Sequence, residues 1–267
     1  MGRAARRPLR LFWSRGSRHE EGRRNAGDWI SPLICARLSG RSVEFARPRD
    51  CDLVSVGSLL LRLNKSHRFH RLGFQRRLDI WGTGSLRAED RLMGAHSLHA
   101  IRGRRSLAQC EKAPSIAVLG DPGILAGMLV ERKTVPRSAM GVIPHMSDRG
   151  HPEVAAFLAA NPGAQLLDIT SPVVDLLEQI AKCERIVSSS LHGLVFADAL
   201  GIPNQWFVAS NELIGGRHKF DDYYSIFDIE PEPIRLPRAS LATLCEGYAR
   251  TGLEGRKQAL IESFPFR

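Results

Sequence analysis

"IVSSSLHGLVFADALGIPNQWF", residues 186–207, decides the fold class. A short apolar run ends in Ser188, Ser189 and Ser190, a helical pattern follows from His192 and closes at Gly201, and a second apolar run opens at Asn204. Strand, helix, strand in that order is the mark of parallel strands joined by a crossover helix.

The same alternation fills the chain from residue 115 onward. "SIAVLGD" (115–121), "AMGVIPHM" (139–146), "GAQLLDI" (163–169), "ERIVSSS" (184–190) and "NQWFVAS" (204–210) predict strands. Between them Pro152 opens the helical "PEVAAFLAAN". Ser171 and Pro172 are expected to cap "SPVVDLLEQIAKC", whose Val173, Leu176, Leu177 and Ile180 fall on one face. The first half repeats the idea less cleanly, with strands expected at 9–14, 42–46, 52–58, 78–84 and 98–103 and a helix at 28–38. The charged, proline-containing "AQCEKAPS" (108–115) marks a change of character. The expected architecture is α/β: an N-terminal Rossmann-like domain over 1–113 and a C-terminal one over 114–267, facing each other across a cleft.

Composition narrows the function classes. With 43% hydrophobic and 25% charged residues over 267 positions, the chain reads as globular. A formal charge of +10 favours anionic partners. The first 24 residues hold eight Arg against two Glu, a local charge of +6. This basic start is a solvated tail, an overextended translation start, or a peripheral contact with an anionic membrane. Nucleic acid is not expected, because no aromatic-interleaved basic motif or zinc spacing accompanies the charge. No window reaches the roughly 18 apolar residues of a membrane span, and "LRLFW" is too short for a signal-peptide core. A cytoplasmic location, with peripheral contact at the inner face of the cell membrane, is expected. Five scattered cysteines without a C-x-x-C pair predict buried thiols rather than disulfides or zinc.

In doubly wound sheets ligands bind at the carboxyl ends of strands, where glycine admits close backbone approach and the next helix offers N–H groups. "VSVGS", "WGTGS" with Gly82 and Gly84, "IRGRRS", "VLGDP" with Asp121, and "SSSLHG" all end a strand this way. His192 stands at such a junction. Gly193 behind it would let the backbone approach a ligand, and the three serine hydroxyls could bond phosphate or carboxylate oxygens. A capping or core histidine is the alternative. His145 is a further cleft neighbour or a turn histidine. Asp28 is a helix cap or a second acid/base group facing across the cleft; no His, Asp or Glu cluster has the spacing for a metal, Asp28 and Asp121 forming a pair only if the fold joins them. Asp198 lies about 240° around the helix from His192, which assigns it to packing.

These segments resemble the polysaccharide pyruvyltransferase family. "NAGDWISPLICARLSGR", "IWGTGS", "IRGRRS", "VLGDPGIL", "GVIPHMSD", the stretch from "LLDITSP" to "SSSLHG" and "GGRHKFDDYYSIF" follow the family's order over about residues 9–228, in the manner of the subgroup that decorates bacterial exopolysaccharides. The resemblance implies an architecture similar to GT-B glycosyltransferases, with the donor held by the C-terminal half. It implies pyruvate transfer from phosphoenolpyruvate to a sugar of an exopolysaccharide or its lipid-linked precursor, with no metal or other cofactor. His192 carries over as the acid/base residue and Arg102 as a cation for the donor. Many relatives have arginine where Ser190 stands, so Lys219 or Arg217 is the expected substitute. A GT-B-type glycosyltransferase using a nucleotide sugar, with Asp221 or Asp222 on the ribose, is the second reading. A non-enzymatic scaffold for polysaccharide assembly is the third.

Overall fold

The computed structural model describes residues 6–16, 24–66, 77–94, 96–114, 117–131, 138–209, 216–236 and 244–267. Among them, ten strands form two parallel sheets. The first holds β1 (Leu9–Phe12), β2 (Val43–Phe45), β3 (Leu53–Val54), β4 (Asp79–Trp81), β5 (Ser97–Ile101) and β6 (Val118–Leu119), in the order β2-β1-β3-β4-β5-β6. The second holds β7 (Met140–Ile143), β8 (Ala164–Leu166), β9 (Ile186–Ser188) and β10 (Asn204–Trp206), in the order β10-β9-β7-β8. Each sheet winds alike: its first strand has the second on one side and the third on the other. The winding therefore reverses between β1 and β3, and again between β7 and β9. A crevice opens at the carboxyl ends of the strands at such a switch point.

Helices cover the sheets: α1 (Ala26–Ser39), α2 (Leu60–Ser66), α3 (Arg104–Ala108), α4 (Pro152–Ala160), α5 (Val173–Ala181), α6 (Leu191–Ala199), α7 (His218–Tyr224) and α8 (Leu253–Ser263). In α5 the expected face, Val173, Leu176, Leu177 and Ile180, is the buried one. Its N-cap is Pro172 with no side-chain bond, so Ser171 does not cap it. The reason α6 carries no polar stripe is its position. It is buried from Leu191 to Ala199 apart from His192, because it packs against the second sheet, α1 and a 3-10 segment at Pro122–Leu129.

Among the described residues the apolar core has three parts. A central cluster joins Leu11 of β1, Ile30 and Ile34 of α1, Ile124 and Leu125 of the 3-10 segment, Leu177 of α5, Val195 and Phe196 of α6, and Leu260 of α8. Two smaller clusters, one around Val54 and Ile80 and one around Val142 and Val187, belong to the first and second sheets. Sheet membership changes after β6 rather than at 113/114, since Ala100 pairs with Val118 and Ile101 with Leu119. The last helix also returns to the first sheet: Trp81 donates through Nε1 to the Leu260 carbonyl at 3.1 Å and meets Phe264 edge-on.

All five cysteines are buried thiols. No helix among the described residues is long and apolar enough to cross a membrane. Of the eight arginines in the first 24 residues, Arg3, Arg18 and Arg23 lie outside the described residues; among the other five, Arg7 and Arg10 are tied to Asp52 at 3.1 and 2.7 Å and so belong to the β1 edge.

Candidate active site

The two switch points share one cavity of about 470 Å³. From the first sheet come Ser14 and Gly16 after β1 and Gly57 and Ser58 after β3. From the second come His145 after β7 and Ser190 and His192 after β9. Asp28 of α1, Arg62 of α2 and Lys219 of α7 complete the charged part of the lining. Of the five β-α turns that the sequence pattern singles out, "VSVGS" and "SSSLHG" line this cavity, one from each half of the chain, whereas "WGTGS", "IRGRRS" and "VLGDP" do not.

His192 sits in the first turn of α6, held on one side by α1. The N-cap of α1 is Asn25, whose Oδ1 accepts the Gly27 N–H at 2.8 Å. Asp28 is therefore not the cap but a first-turn residue facing the cavity. A Cβ on Gly27 would overlap the His192 ring, so the "NAGD" glycine exists to admit the imidazole. Gly27→Ala should displace the ring and cost about 1–3 kcal/mol of stability as an overpacked core does. Urea unfolding measures it, and an unchanged midpoint would show that the ring does not depend on Gly27.

Opposite stands Asp121, the N-cap of the 3-10 segment, wholly buried, with Oδ1 accepting the Gly123 N–H at 2.8 Å. Its Oδ2 lies 3.7 Å from His192 Nε2. Neither of these two atoms is solvent-accessible, and neither has a hydrogen-bond partner among the described residues. Burial raises the Asp121 carboxyl to about 6, against the opposing pull of the Gly123 amide and Arg102. Burial, reinforced by Arg102 and Lys219, lowers the His192 imidazolium to about 3. The resting histidine is neutral at physiological pH.

Lys219 is the cavity's buried cation. Among the described residues it makes no ion pair or hydrogen bond, and its ammonium lies 5.4 Å from the centre of the Phe220 ring. Burial lowers it to about 8, helped by Arg102 and opposed by Asp28 and Asp148.

Other residues singled out from sequence have different duties. Arg102 is 1% exposed and does not line the cavity. Its Nε donates to Asp222 at 2.8 Å, Nη1 to Ser58 Oγ at 2.8 Å and Nη2 to the Ser85 carbonyl at 2.6 Å. Gly84 leaves room for that guanidinium and Gly82 for Pro122. Ser188 donates to the Ile143 and Ser190 carbonyls. Ser189 donates to Asp148 and accepts the His145 N–H. Both hydroxyls are thus spent on tying β9 to β7, and of the three serines Ser190 alone lines the cavity. A Cβ on Gly193 would strike Ser188, so that glycine serves packing rather than a ligand. Arg217 lies in a separate cavity, paired with Asp221 at 3.1 Å and Glu232 at 3.3 Å. Asp198 takes donors from Tyr223, Tyr248, Asn204 and Arg250, which is the packing role its helical angle implies. Arg62 was not legible as a site residue, because a lone arginine in "LLRLNKS" looks like a solvated helix face. Among the described residues no group of three or more His, Cys, Asp or Glu could hold a metal ion.

Comparison with known proteins bears on what such a cavity acts upon. The family model described as polysaccharide pyruvyl transferase matches residues 4–210. An uncharacterized protein of Acanthamoeba polyphaga mimivirus is 34% identical over 220 residues, covering 77% of this chain and 72% of that one. The succinoglycan biosynthesis protein ExoV of Rhizobium meliloti (strain 1021) is 26% identical over 149 residues, covering 54% of this chain and 45% of that relative.

Proposed function

Because the chain belongs to the polysaccharide pyruvyl transferase family, we propose that it moves pyruvate from phosphoenolpyruvate onto two hydroxyls of a saccharide, forming a ketal and releasing phosphate. The observation that carries this reading is the joint cavity of the two switch points, lined by a partly buried, neutral histidine and by a buried lysine that has no ion-pair partner among the described residues. The donor's phosphate and carboxylate call for cations, and Lys219 and Arg62 supply them. Arg102 adds its charge from behind Ser58.

The chemistry asks for a movable proton. A proton delivered to the methylene carbon makes the central carbon oxocarbenium-like. One sugar hydroxyl attacks, the carbon–oxygen bond to phosphate breaks, and the second hydroxyl closes the ring. Of the two hydroxyl protons, one ends on the new methyl group and one on phosphate. His192 is the group that handles a proton in this site. Burial keeps it neutral when the cavity holds no anion. An anionic donor beside the ring raises its proton affinity, since opposite charge favours the imidazolium. The histidine therefore takes up its proton when the donor is in place.

Lys219→Met should raise the Michaelis constant for phosphoenolpyruvate about ten- to a hundredfold, the worth of one charge-assisted bond of about 1.5–3 kcal/mol. In the wild type the same constant should climb as pH rises through about 8, where Lys219 loses its charge. Lys219→Arg keeps the charge and should flatten that rise. Donor kinetics unchanged in both variants would remove Lys219 from the site.

The decisive experiment is incubation with phosphoenolpyruvate and a panel of free and lipid-linked oligosaccharides, reading phosphate release together with mass gain on the glycan. Release of nucleoside diphosphate from a nucleotide sugar, without phosphate from phosphoenolpyruvate, would favour glycosyl transfer instead. The carboxylates expected to hold a ribose weigh against that outcome, because Asp222 is buried on Arg102 and Ser106 and Asp221 is paired with Arg217 and Arg105.

A further inference from the structure

Two buried polar atoms that lie near each other, with no hydrogen-bond partner among the described residues, call for an explanation, since a buried polar group without a partner is costly. His192 Nε2 and Asp121 Oδ2 are such a pair, 3.7 Å apart. They stand on different elements, α6 and the 3-10 segment. Gly123 keeps that approach open, since a Cβ there would press on Val195 and on Asp121 Oδ1 and come within 3.5 Å of the imidazole Cδ2. His192 lines the cavity although its Nε2 is enclosed, while its Nδ1 is not among the enclosed atoms and lies beside Gly27.

We infer that Asp121 is a positioning residue for His192: its Oδ2 holds the imidazole as the Nε2–H tautomer, so that Nδ1 is the nitrogen that exchanges a proton in the cavity. The carboxylate has a fixed orientation, because Oδ1 is committed to the Gly123 N–H at 2.8 Å. Only Oδ2 is left for the ring. A neutral imidazole donates from one nitrogen and accepts at the other, so an acceptor at Nε2 sets a bare, basic Nδ1. When Nδ1 takes a proton, the imidazolium that forms lies beside the same carboxylate, which stabilises it. Catalytic contacts of this kind are often long before substrate arrives and shorten in the complex.

The orientation of Asp121 makes the inference testable with one isosteric change. In Asp121→Asn the side-chain oxygen stays on the Gly123 N–H, which leaves the amide –NH₂ facing Nε2. Two donors cannot face each other, so the ring must adopt the Nδ1–H tautomer, and its basic nitrogen then points away from the cavity. The helix cap survives, and the variant removes a buried charge rather than adding one. Its thermal midpoint at pH 8 should not fall.

The measurement is nitrogen-15 NMR of the full chain with labelled histidine, the His192 signals being identified by their loss in His192→Asn. The wild type should show the Nε2–H form and Asp121→Asn the Nδ1–H form. Turnover with phosphoenolpyruvate and an acceptor should fall about 10²- to 10⁴-fold in Asp121→Asn with little change in the donor's Michaelis constant. A wild-type Nδ1–H tautomer, or one unchanged by Asp121→Asn, would overturn the inference. The kinetic arm rests on the proposed pyruvyl transfer, whereas the tautomer does not, so failure of that reading alone would leave the NMR result standing.

Discussion

Asparagine in place of His192 should leave a folded, donor-binding protein whose turnover is lower by about 10²- to 10⁴-fold, the usual worth of general acid–base catalysis. The side chain sits at the mouth of α6 with Gly27 against it and Asp121 behind it. Asparagine is smaller than the pocket and keeps hydrogen-bonding groups, so packing changes little. What disappears is the group that can take up a proton once an anion is bound. The acid limb of the pH profile is informative as well. With its imidazolium lowered to about 3, His192 does not itself titrate near pH 6 in the free protein, and the neighbouring Asp121 carboxyl, raised to about 6, does. As pH falls through that value Asp121 loses its negative charge and with it the hold on Nε2–H, so kcat/KM should decline on the acid side. In His192→Asn that decline should vanish, since the carboxyl no longer orients a catalytic group. Ser190→Ala serves as the control. As a neutral contributor at the cavity wall it should cost about 0.5–1.5 kcal/mol and leave the acid limb in place. Near-normal turnover in His192→Asn would return the residue to a structural role.

The strands and the helices α1, α4, α5 and α6 were legible because each carries a strong local signal, whereas α2, α3, α7 and α8 were not expected as helices. The period-2 and period-3.6 apolar patterns and Gly201 after α6 fall where the elements end. Strand order was not legible, since pairing β6 with β5 instead of with the second sheet depends on where the chain travels, not on the composition of "VLGDP". The same limit applies to hydroxyls and charges. "SSS" announces three donors, yet whether they face a ligand or lace β9 to β7 is decided by partners more than forty residues distant, Ile143 and Asp148. The place of His192 at the cavity was legible from its strand-to-helix junction. Its carboxylate was not, because no spacing rule joins the N-cap of one segment to the first turn of a helix in another. Lys219 was legible only as a stand-in for a missing arginine, and the structure brings it to the cavity while keeping Arg217 away from it.

Arg102, expected from its motif to touch the donor, should instead produce its largest effect on stability. Arg102→Ala strips the cation from an Asp222 that is wholly buried and that also accepts the Ser106 N–H at 2.8 Å and the Ser106 hydroxyl at 2.5 Å. Removing one partner of a buried pair leaves a charge with no counter-ion, at a cost of about 3–5 kcal/mol. In a chain of this size that corresponds to a fall of roughly 6–20 °C in Tm. Arg102→Lys should recover only part of this, because one ammonium cannot reach Asp222, Ser58 and the Ser85 carbonyl together as the guanidinium fork does. Asp222→Leu alone should be about as damaging, leaving the guanidinium unpaired. The double variant Arg102→Met with Asp222→Leu should be less destabilised than the sum of the two, since no buried charge remains. The physical reason reaches the active site. This ion pair joins the end of β5 to α7, and so sets the distance between Ser58 on one wall of the cavity and Lys219 on the other. Donor affinity should therefore weaken in the double variant even where stability returns. Additive losses in thermal unfolding, or a single variant that loses less than about 1 kcal/mol, the worth of an ordinary hydrogen bond, would show that α7 is anchored by its apolar contacts alone.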